Sequence, residues 1–579
     1  MGDIYSHYQN LLSFLNPNEE IKINITRRDN LDDIIREYLD LLKSIKLKHK
    51  SIRWELSSLA ESDPQSNNFF LNILYFTRII NILENYKEIN KGELIIFIED
   101  NLLGLAIISY LKENKYKFNT YNLKINNKII FYLWLIYGSL KENIKFLKSM
   151  LLSKFLFYKY NNLQFIQTFN NLILLHSFIN KNSLLSDGNI KDNFYGELSN
   201  YLNKNGYRVV YLLNDVLFFE NKKKIIEWLG KTNIPVVFIY YIVSIKDIFL
   251  SVLFSLSYIF CSFSNFRFRN YDISFLFSLF YKSLSRSQLT NWSYIYYFSL
   301  KKLKMLNILP KAIIDIYEGH FWERALRVSK NRHKMKTKIF GINSSAFSKN
   351  NVSMFSSFDN ELPDKILCSS ELYKSTLNNF GIPDEKIEVI GSFRYAKLVE
   401  NVEKKIKNNL YTKRILSIKT IGIIFPLKYE IAEELLLRIV NTFYNSEYKI
   451  RLFFHPFTAS KFNVYVNSLS LPKNFSISEK SFYDIYQEID LVICAFTTMA
   501  LEALALGIPV IEIERELGID FGILDFQEIG VKRAKSNNDI INIINELNDT
   551  LYDEKLCAEK FLIFFEKINE TKIKSIFQE

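Results

Sequence analysis

A single run in the last third of the chain, DLVICAFTTMALEALALGIPVIEIE, constrains the fold more than any other stretch. Its first residues, 490–495, form a continuous buried-strand pattern. The pattern breaks at Thr497 and Thr498, and residues 499–506 are strong helix formers that end before a glycine. Residues 508–513 predict the next strand. Strand, loop, helix and strand at this spacing predict a doubly wound parallel sheet.

Polar side chains follow the strands of this predicted sheet at its carboxyl edge. Ligands of open α/β sheets bind at that edge, where helix N-termini with free N–H groups suit a phosphate. We therefore expect the hydroxyls of Thr497 and Thr498 to bind phosphate, together with His455 at the end of a neighbouring strand. Glu502 is expected to accept from ribose hydroxyls, and Lys428 lies in a loop facing the same edge. The alternative is that the threonines only cap the helix and that His455 is a satisfied turn residue.

This stretch resembles the nucleotide-binding half of a GT-B glycosyltransferase, whose donor domain carries a helix of the form E-A-x-A-x-G-x-P-V. The matching residues are Glu502, Ala503, Ala505, Gly507, Pro509 and Val510. The pair His455-Pro456, followed by paired hydroxyl residues, resembles the HP and Ser/Thr motifs of bacterial sialyltransferases, polysialyltransferases and Kdo transferases. The resemblance implies a CMP-activated keto-sugar acid as donor, with Pro456 in the nucleotide site. Threonines stand here where many relatives have serines.

Composition places the chain among globular proteins of more than one domain. At 579 residues it exceeds a single core, and 48% hydrophobic with 23% charged residues is not typical of disorder. The four cysteines lack metal or disulfide spacing, and the N-terminus lacks a signal-peptide pattern, so a cytoplasmic protein is expected. The net charge of +12 fits acidic substrates or an anionic membrane surface. No nucleic-acid-binding motif is recognisable, so we expect no nucleic-acid partner.

Two Rossmann-like α/β domains facing a cleft are therefore expected, with helical N-terminal and inserted segments. Residues 1–90 read as mostly helical, and residues 91–399 as the acceptor-side domain with apolar and basic insertions. The polar run 400–413 is the expected linker. Residues 414–579 are expected to bind the nucleotide sugar, and their final helices to pack back across the first domain, as the GT-B resemblance implies.

Two loops of the first domain are weaker candidates for the cleft. A predicted strand, residues 93–100, ends on Glu99 and Asp100 and leads into a helix, which would make a first β-α unit. Asp100 is a secondary catalytic candidate, and a plain helix cap is the alternative. In a GT-B acceptor domain the turns of the loop 187–196 border the cleft, and ordinary turn glycines are the alternative there.

The stronger catalytic candidates follow the predicted strand at residues 312–317. The run YEGHFWERAL resembles a block in surface-carbohydrate biosynthesis transferases, and Glu318-Gly319 fits the acidic-Gly pattern of the general base in CMP-sugar transferases. The resemblance implies that Glu318 takes the proton of the acceptor hydroxyl, with His320 as the other candidate. Glu323, one turn into the following helix, is expected to be structural or to orient His320.

Two arginines are candidates for binding an acceptor or another anion. Arg324 opens a strongly basic segment that extends to Lys338, which is expected to hold an anionic acceptor or the membrane. A solvated helix face is the alternative. Arg394 lies in the block P-D-x-I-L … G-I-P … K-I-x-V-I-G-S-x-R, which resembles the end of a GT-B first domain. The resemblance implies that Arg394 stands where the chain crosses between domains.

Two apolar insertions raise the question of a membrane. Residues 128–160 combine apolar and aromatic side chains with lysines and one acid, a pattern typical of a helix lying in a membrane interface. Core packing with a solvated lysine face is the alternative. Residues 248–266 carry no charge over a length that spans a bilayer, but several serines favour a buried or interface-seated helix over a transmembrane one.

Together these features predict a metal-independent GT-B glycosyltransferase for surface polysaccharide or lipopolysaccharide, using a CMP-activated ulosonic acid such as Kdo or a nonulosonate. Its partners would be the nucleotide sugar and a glycan or lipid-linked glycan acceptor, with no cofactor beyond the donor. No D-x-D motif is present to mark a metal site. The alternatives are a transferase using a UDP- or GDP-hexose, a sugar-nucleotide 2-epimerase of the same fold, and a silent scaffold subunit. Location at the inner face of the cytoplasmic membrane would follow from anionic lipid contact.

Overall fold

The structure is a computed structural model of the 579-residue chain. It describes residues 31–49, 51–61, 68–86, 94–97, 100–116, 118–121, 128–160, 163–179, 183–214, 222–355, 361–455, 459–469, 471–515, 520–524 and 531–578. Among the residues singled out from sequence, Glu99 and Pro456 lie outside the described residues. The first 30 residues of the predicted helical part lie outside them as well.

The chain begins, as far as it is described, with helices that pack against the first domain. In α1 the apolar residues recur every three or four positions, which gives the helix one buried face that includes Ile34, Tyr38 and Ile45. Ion pairs tie these helices to later elements, among them Lys46 with Glu361 at 2.5 Å. In chain order this part contains α1 (Leu31–Lys48), α2 (Ile52–Glu55), α3 (Ser58–Glu61), α4 (Phe69–Tyr86), β1 (Leu94–Phe97), α5 (Asn101–Glu113), β2 (Phe118–Tyr121), α6 (Lys128–Leu156) and α7 (Leu163–Ile166).

Strand β1 does not join a large sheet. Among the strands that the structure describes, it pairs in parallel with β2 alone, with Leu94 opposite Phe118. The predicted strand and the helix after it are present as β1 and α5, but this strand is not part of the seven-stranded sheet of the first domain. Apolar periodicity predicts a strand, but it does not identify the strand that will pair with it.

Seven of the described strands form the parallel sheet of the first domain, in the order β11-β10-β9-β8-β3-β4-β5. Its central strands β3 and β8 are buried along their whole length, as expected of parallel strands covered on both faces. The elements are β3 (Leu172–Phe178), α8 (Leu198–Lys204), β4 (Arg208–Asn214), α9 (Lys222–Leu229), β5 (Val236–Phe238), α10 (Ile239–Ile242), α11 (Ile245–Ser257), β6 (Arg267–Phe268), β7 (Tyr271–Asp272), α12 (Ser274–Ser283), α13 (Gln288–Met305), β8 (Ala312–Ile316), α14 (Phe321–Arg332), β9 (Lys338–Ile342), β10 (Lys365–Cys368), α15 (Glu371–Asn379), β11 (Ile387–Val389) and α16 (Ala396–Lys407).

Six of the described strands form a second parallel sheet, in the order β15-β14-β13-β16-β17-β18. The predicted strand, helix and strand of the opening run are β16, α20 and β17. The elements are β12 (Lys413–Ile415), β13 (Thr420–Ile424), α17 (Tyr429–Phe443), β14 (Lys449–Phe453), α18 (Ala459–Ser468), β15 (Phe475–Ile477), α19 (Phe482–Ile485), β16 (Leu491–Cys494), α20 (Met499–Ala505), β17 (Val510–Ile513), β18 (Lys532–Ala534), α21 (Asn537–Asp549), β19 (Leu551–Asp553), α22 (Glu554–Phe564) and α23 (Glu570–Gln578).

The polar run 400–413, expected to link the two domains, is largely helical. Most of it lies in α16, an amphipathic helix that buries Val399 and Val402. The run is polar because only one side of that helix meets the core, and a count of polar residues cannot distinguish such a helix from a loop. The chain therefore crosses between the domains as a packed helix.

The C-terminal helices return to the first domain, as predicted. The amide of Glu566 donates to the carbonyl of Ser369, and the hydroxyl of Tyr207 donates to the carbonyl of Phe577 at 2.8 Å. At Gly391, φ is +80° and an added Cβ would collide with the carbonyl of Lys567, so the close approach of the returning chain requires glycine. Two parallel sheets joined in this way are the GT-B architecture, and the predicted fold class is confirmed.

Both apolar insertions are helical, and the second differs in form from its prediction. The helix α6 is a single element of 29 residues. The charge-free run 248–266 is broken, because α11 ends at Ser257 and a 3₁₀ turn, Tyr258–Phe260, follows. Within the described residues, every helix is too short or too polar to cross a bilayer.

Candidate active site

The loop after β8 places Glu318 and His320 at the carboxyl edge of the first sheet. Strand β8 ends at Ile316 and α14 begins at Phe321, so the loop between them is short. Gly319 adopts a φ of +78°, and an added Cβ would come within 2.5 Å of Ser353. Glycine is therefore required both for the backbone conformation and for the close approach of the segment that contains Ser353.

A buried carboxylate holds this loop from below. Glu323 is fully buried and accepts hydrogen bonds from the backbone amides of Glu318 and His320 at 3.0 Å and of Gly319 at 3.3 Å. It also lies 3.6 Å from Arg327. Burial raises the pKa of Glu323 to about 7, against the opposing charges of His320 and Arg327. Glu323 is therefore a positioning residue, as the sequence suggested.

The carboxylate of Glu318 contacts His320 through one of its two oxygens. Its Oε2 lies 3.3 Å from Nε2 of His320, whose ring stacks on Trp322 at 4.2 Å between centroids. Its Oε1 is buried and has no hydrogen-bond partner among the described residues. Burial alone would raise the pKa of Glu318, but the hydrogen bond and charge of His320, a hydrogen bond with Ser345 and the charge of Arg394 hold it below its ordinary value. The group is thus ionised and able to accept a proton.

Arg394 stands between the carboxylates of the two domains. It donates from Nη1 to the hydroxyl of Ser345 at 2.5 Å and lies 5.2 Å from the ring of Tyr395. Burial opposes its charge, yet Tyr395 and nearby acids, Glu318 and Glu502 among them, raise its pKa above the ordinary value. A guanidinium in such a position suits a carboxylate or phosphate of a ligand.

Tyr395 bridges the two domains. Its hydroxyl donates to Oε1 of Glu502 at 3.3 Å and also has a hydrogen bond with the side chain of Thr498. Glu502 is largely buried, and burial raises its pKa against the charge of Arg394. This first-domain partner of Glu502 was not predicted, because the sequence suggested ribose hydroxyls. The carboxyl edges of the two sheets therefore face each other beside this contact. We call the region between these two edges the cleft.

The predicted phosphate-binding residues follow three adjacent strands of the second sheet. Lys428 comes after β13, His455 after β14, and Thr497 and Thr498 after β16. All four side chains are partly buried. Burial lowers the pKa of His455, which favours the neutral imidazole, and the ammonium of Lys428 lies 5.9 Å from the ring of Phe521. The structure thus brings these residues to one edge.

The alternative role of the threonines, capping α20, is not what the structure shows. Thr498 occupies the cap position, but its side chain makes no capping hydrogen bond, and the helix is only seven residues long. Its hydroxyl is directed instead to Tyr395 of the first domain. Phe496 before it has a φ of +46° and packs against Phe521 with ring centroids 5.8 Å apart.

Asp100 has a structural role that differs from the catalytic one considered. Its Oδ1 accepts from the amides of Leu102 and Leu103 at 2.8 and 2.9 Å, which makes it the N-cap of α5. Its strand belongs to the small β1–β2 sheet and not to the sheet that carries Glu318. The helix-cap alternative is the correct one.

Arg324 is also corrected. It is buried, it forms an ion pair with Glu361, and it donates to the carbonyl of Ala60 at 2.5 Å. An acceptor cannot reach it, because its side chain is only 1% exposed. Other cations of the same segment are likewise paired, Lys330 with Asp364 and Arg332 with Glu55.

The lysines at the end of the basic segment line a cavity away from the cleft. Its volume is about 540 Å³, and it lies at the amino ends of β8 and β9. The lysines that line it are Lys304, Lys311, Lys334, Lys336 and Lys338. Ligands of parallel sheets bind at the carboxyl ends of the strands, so we do not assign the active site to this cavity.

Sequence reasoning missed Asp192 as a member of the site. Burial raises the pKa of Asp192, whereas hydrogen bonds from Tyr195, Phe194 and Ser177 and the charge of Arg394 oppose that rise. The loop 187–196 was predicted to border the cleft, but its turns were singled out instead of the aspartate. An added Cβ at Gly196 would collide with the carbonyl of Phe393, which confirms how closely this loop approaches the Arg394 turn.

The chain is similar to several solved sugar-nucleotide enzymes at low sequence identity. No protein-family model and no curated protein matches it. UDP-GlcNAc 2-epimerase from Methanocaldococcus jannaschii, solved with UDP-GlcNAc and UDP, is similar over 70% of this chain and 99% of its own, at 12% identity and a TM-score of 0.39. UDP-GlcNAc 2-epimerase from Neisseria meningitidis, bound to UDP-GlcNAc, is similar over 70% of this chain and 100% of its own, at 11% identity and a TM-score of 0.40. MurG from Acinetobacter baumannii is similar over 70% of this chain and 99% of its own, at 12% identity and a TM-score of 0.36. Likenesses this weak do not assign an activity to this chain.

Among the described residues, no group of three or more histidine, cysteine, aspartate or glutamate side chains is arranged to hold a metal ion.

Proposed function

We propose that this protein is a glycosyltransferase whose nucleotide-sugar donor binds between its two domains. The observation that carries the proposal is the cleft itself. An ionised glutamate with an unpaired oxygen, Glu318, stands on one side, and Arg394 lies between it and the second domain. The hydroxyls of Thr497 and Thr498 and the imidazole of His455 lie on the opposite side, at the carboxyl edge of the second sheet.

On the acceptor side, Glu318 is the general base. A sugar hydroxyl is a poor nucleophile, and a carboxylate positioned to take its proton contributes roughly 10²–10⁴-fold to the rate. The acceptor oxygen forms a bond to the anomeric carbon, the bond from that carbon to the donor's phosphate oxygen breaks, and the acceptor proton passes to the carboxylate of Glu318. Glu323 keeps the loop in place during this step by holding its amides.

On the donor side, the groups that follow β13, β14 and β16 receive the leaving phosphate. Thr497 and Thr498 supply hydroxyls, and neutral His455 supplies a ring N–H. Lys428 adds positive charge near the same edge. Charge-assisted hydrogen bonds of this kind stabilise the negative charge that develops on a leaving phosphate.

Two donor classes fit these groups. A CMP-activated ulosonic acid, Kdo or a nonulosonate, is supported by the HP and paired-threonine motifs, and Arg394 suits the carboxylate of such a sugar. A UDP- or GDP-hexose is supported by the two cations, Lys428 and Arg394, which suit a diphosphate. The acceptor in either case would be a glycan or lipid-linked glycan of a surface polysaccharide.

A sugar-nucleotide 2-epimerase is the second candidate function. An epimerase must remove a proton from carbon and return it, and the cleft gathers several acid–base groups, Glu318, His320 and Asp192 among them. Such an enzyme would convert the nucleotide sugar without an acceptor. The two activities are separated by incubating the protein with each sugar nucleotide alone and looking for an epimer.

Nucleotide binding is the direct test of the donor site. We expect CMP to raise the unfolding temperature more than UDP or GDP, because a ligand that binds only the native state stabilises it. Replacement of Thr497 and Thr498 by valine should abolish that shift, whereas Thr571→Val in α23 is the matched control and should leave it unchanged. A larger shift with UDP would favour the hexose donor. No shift with any nucleotide would overturn the proposal.

A further inference from the structure

Helix α6 presents an unusually apolar face to solvent. The exposed fractions of Ile129, Leu133, Tyr137, Ile144 and Phe155 are 73%, 64%, 70%, 64% and 80%. These residues recur at spacings that keep them on one side of a helix, so they form a continuous stripe along it. Exposed hydrophobic residues are common singly, but a contiguous patch marks an interaction surface.

Helix α11 packs against α6 and extends the same surface. Ile245, Phe249 and Leu253 are each about half exposed or more, at 53%, 47% and 61%, and Phe260 just beyond the helix is 84% exposed. We call the exposed side chains of α6 and α11, together with Phe260, the apolar face. It consists of two neighbouring helices and not of a single frayed element.

The opposite side of α6 is firmly attached to the first domain. The hydroxyls of Ser139 and Ser285 lie 2.6 Å apart, and Asn143 donates to the carbonyl of Ser285 at 2.9 Å. The guanidinium of Arg286 lies 3.3 Å from the ring of Trp134. These buried polar contacts fix the rotation of the helix, so its apolar stripe faces outward because of its docking.

Lysines border the apolar stripe. Lys141, Lys145 and Lys148 are exposed and recur at the same helical spacing as the stripe, beside it on the helix surface. The single acidic residue of α6, Glu142, is partly buried and accepts from Gln288 at 2.8 Å. The rim of the apolar face on this helix is therefore positively charged.

We propose that the apolar face lies in the interface of an anionic lipid bilayer, with the lysines at the headgroups. A helix that lies in the plane of the interface needs an apolar stripe and a basic border, and both are present. Each lysine near an anionic surface contributes to binding. A second copy of the chain is the less suitable partner, because a two-fold symmetric contact would bring the same lysine borders together.

This inference does not depend on the proposed nucleotide site, which lies at the carboxyl edges of the sheets. It differs from the earlier expectation in one respect, because Arg324, Lys330 and Arg332 of the basic segment are engaged in ion pairs. A membrane-seated transferase would meet a lipid-linked acceptor at the bilayer surface.

Vesicle flotation of the full chain tests the inference. The protein should float with phosphatidylcholine vesicles that contain phosphatidylglycerol, and added salt should weaken its binding. The triple change Leu133→Asp, Tyr137→Asp and Ile144→Asp should lower the partition by more than about a hundredfold, because three apolar side chains would no longer be buried in lipid. Changing Lys141, Lys145 and Lys148 to glutamate should lower binding to the anionic vesicles about a hundredfold.

The matched control replaces three exposed apolar residues of the second domain, Val464, Tyr483 and Leu556, with aspartate, and it should float like the wild type. Thermal unfolding of each variant shows that it is folded, and light scattering gives its oligomeric state. The inference is overturned if the folded wild type does not float with anionic vesicles. It is also overturned if the apolar-face variant floats unchanged, or if that variant converts a wild-type dimer to a monomer without changing flotation.

Discussion

The catalytic loop of the first domain and the threonine loop of the second domain are fixed in different ways. Glu318 and His320 are positioned from within their own domain, because the buried carboxylate of Glu323 holds three successive backbone amides. Thr498 is positioned from outside, because its hydroxyl and Glu502 both bond to Tyr395 of the other domain. The acid–base groups are thus preorganised, whereas the donor side depends on how the domains meet.

The largest effect is expected from the preorganised side. Glu318→Gln keeps the shape of the side chain and removes its basic oxygen, so the transfer rate should fall roughly 10²–10⁴-fold. Nucleotide affinity should remain, because the phosphate-binding groups belong to the other domain. Steady-state transfer and calorimetric nucleotide binding, measured on the same preparation, check both statements. Near-normal turnover would move the role of base to His320.

The next largest effect is expected from Glu323, the residue that holds the loop after β8. Glu323→Ala should lower the free energy of unfolding by about 3–5 kcal/mol, because it breaks the buried contact with Arg327 and leaves the loop amides without their acceptor. Chemical denaturation measures the change. Glu227→Ala, on the exposed surface of α9, is the matched control and should be neutral within error. A stable Glu323→Ala protein with normal activity would show that the loop is held by other contacts.

The donor side should respond in binding and not in stability. His455→Ala is expected to weaken nucleotide binding by about 1–3 kcal/mol through the loss of one hydrogen bond to phosphate. Titration calorimetry with the nucleotide that stabilises the wild type gives the difference. If affinity is unchanged, His455 is a turn residue, as the alternative had it.

The bridge between the two sides should give a smaller effect. Tyr395→Phe removes the hydroxyl that joins Glu502 and Thr498 to the first domain, at a cost of about 0.5–1.5 kcal/mol in stability. Because the ring and its packing remain, the change isolates the hydrogen bonds. Nucleotide affinity measured beside stability shows whether the threonine loop depends on the bridge, and an affinity equal to that of the wild type would contradict this dependence.

The smallest expected effect concerns pH. The neighbouring cations hold the pKa of Glu318 below its ordinary value, so the carboxylate stays ionised and kcat/KM should fall only at acid pH. His320→Asn removes the imidazole whose interactions lower that pKa, so the pKa of Glu318 should rise and the acid limb should move to higher pH. A pH profile of kcat/KM for both proteins measures the displacement. A displacement to lower pH would contradict the assignment.

Local patterns in the sequence predicted the parts of this molecule whose interactions are local. The strand, loop and helix around Thr497 and the loop after β8 were found because apolar periodicity and turn residues specify them directly. The pairing of β1 with β2 alone and the enclosure of Arg324 by Glu361 and Ala60 depend on contacts between distant segments. No pattern within a helix or strand records such partners.

Hydrogen exchange of the full chain, with and without a saturating nucleotide sugar, tests the central claim most directly. If the donor lies between the carboxyl edges of the two sheets, backbone amides should be protected in both domains at once, around residues 318–320 and 394–395 and around residues 497–502. Amides that line the lysine cavity at the amino ends of β8 and β9 should exchange at unchanged rates. Protection confined to that cavity, or to one domain alone, would contradict the account.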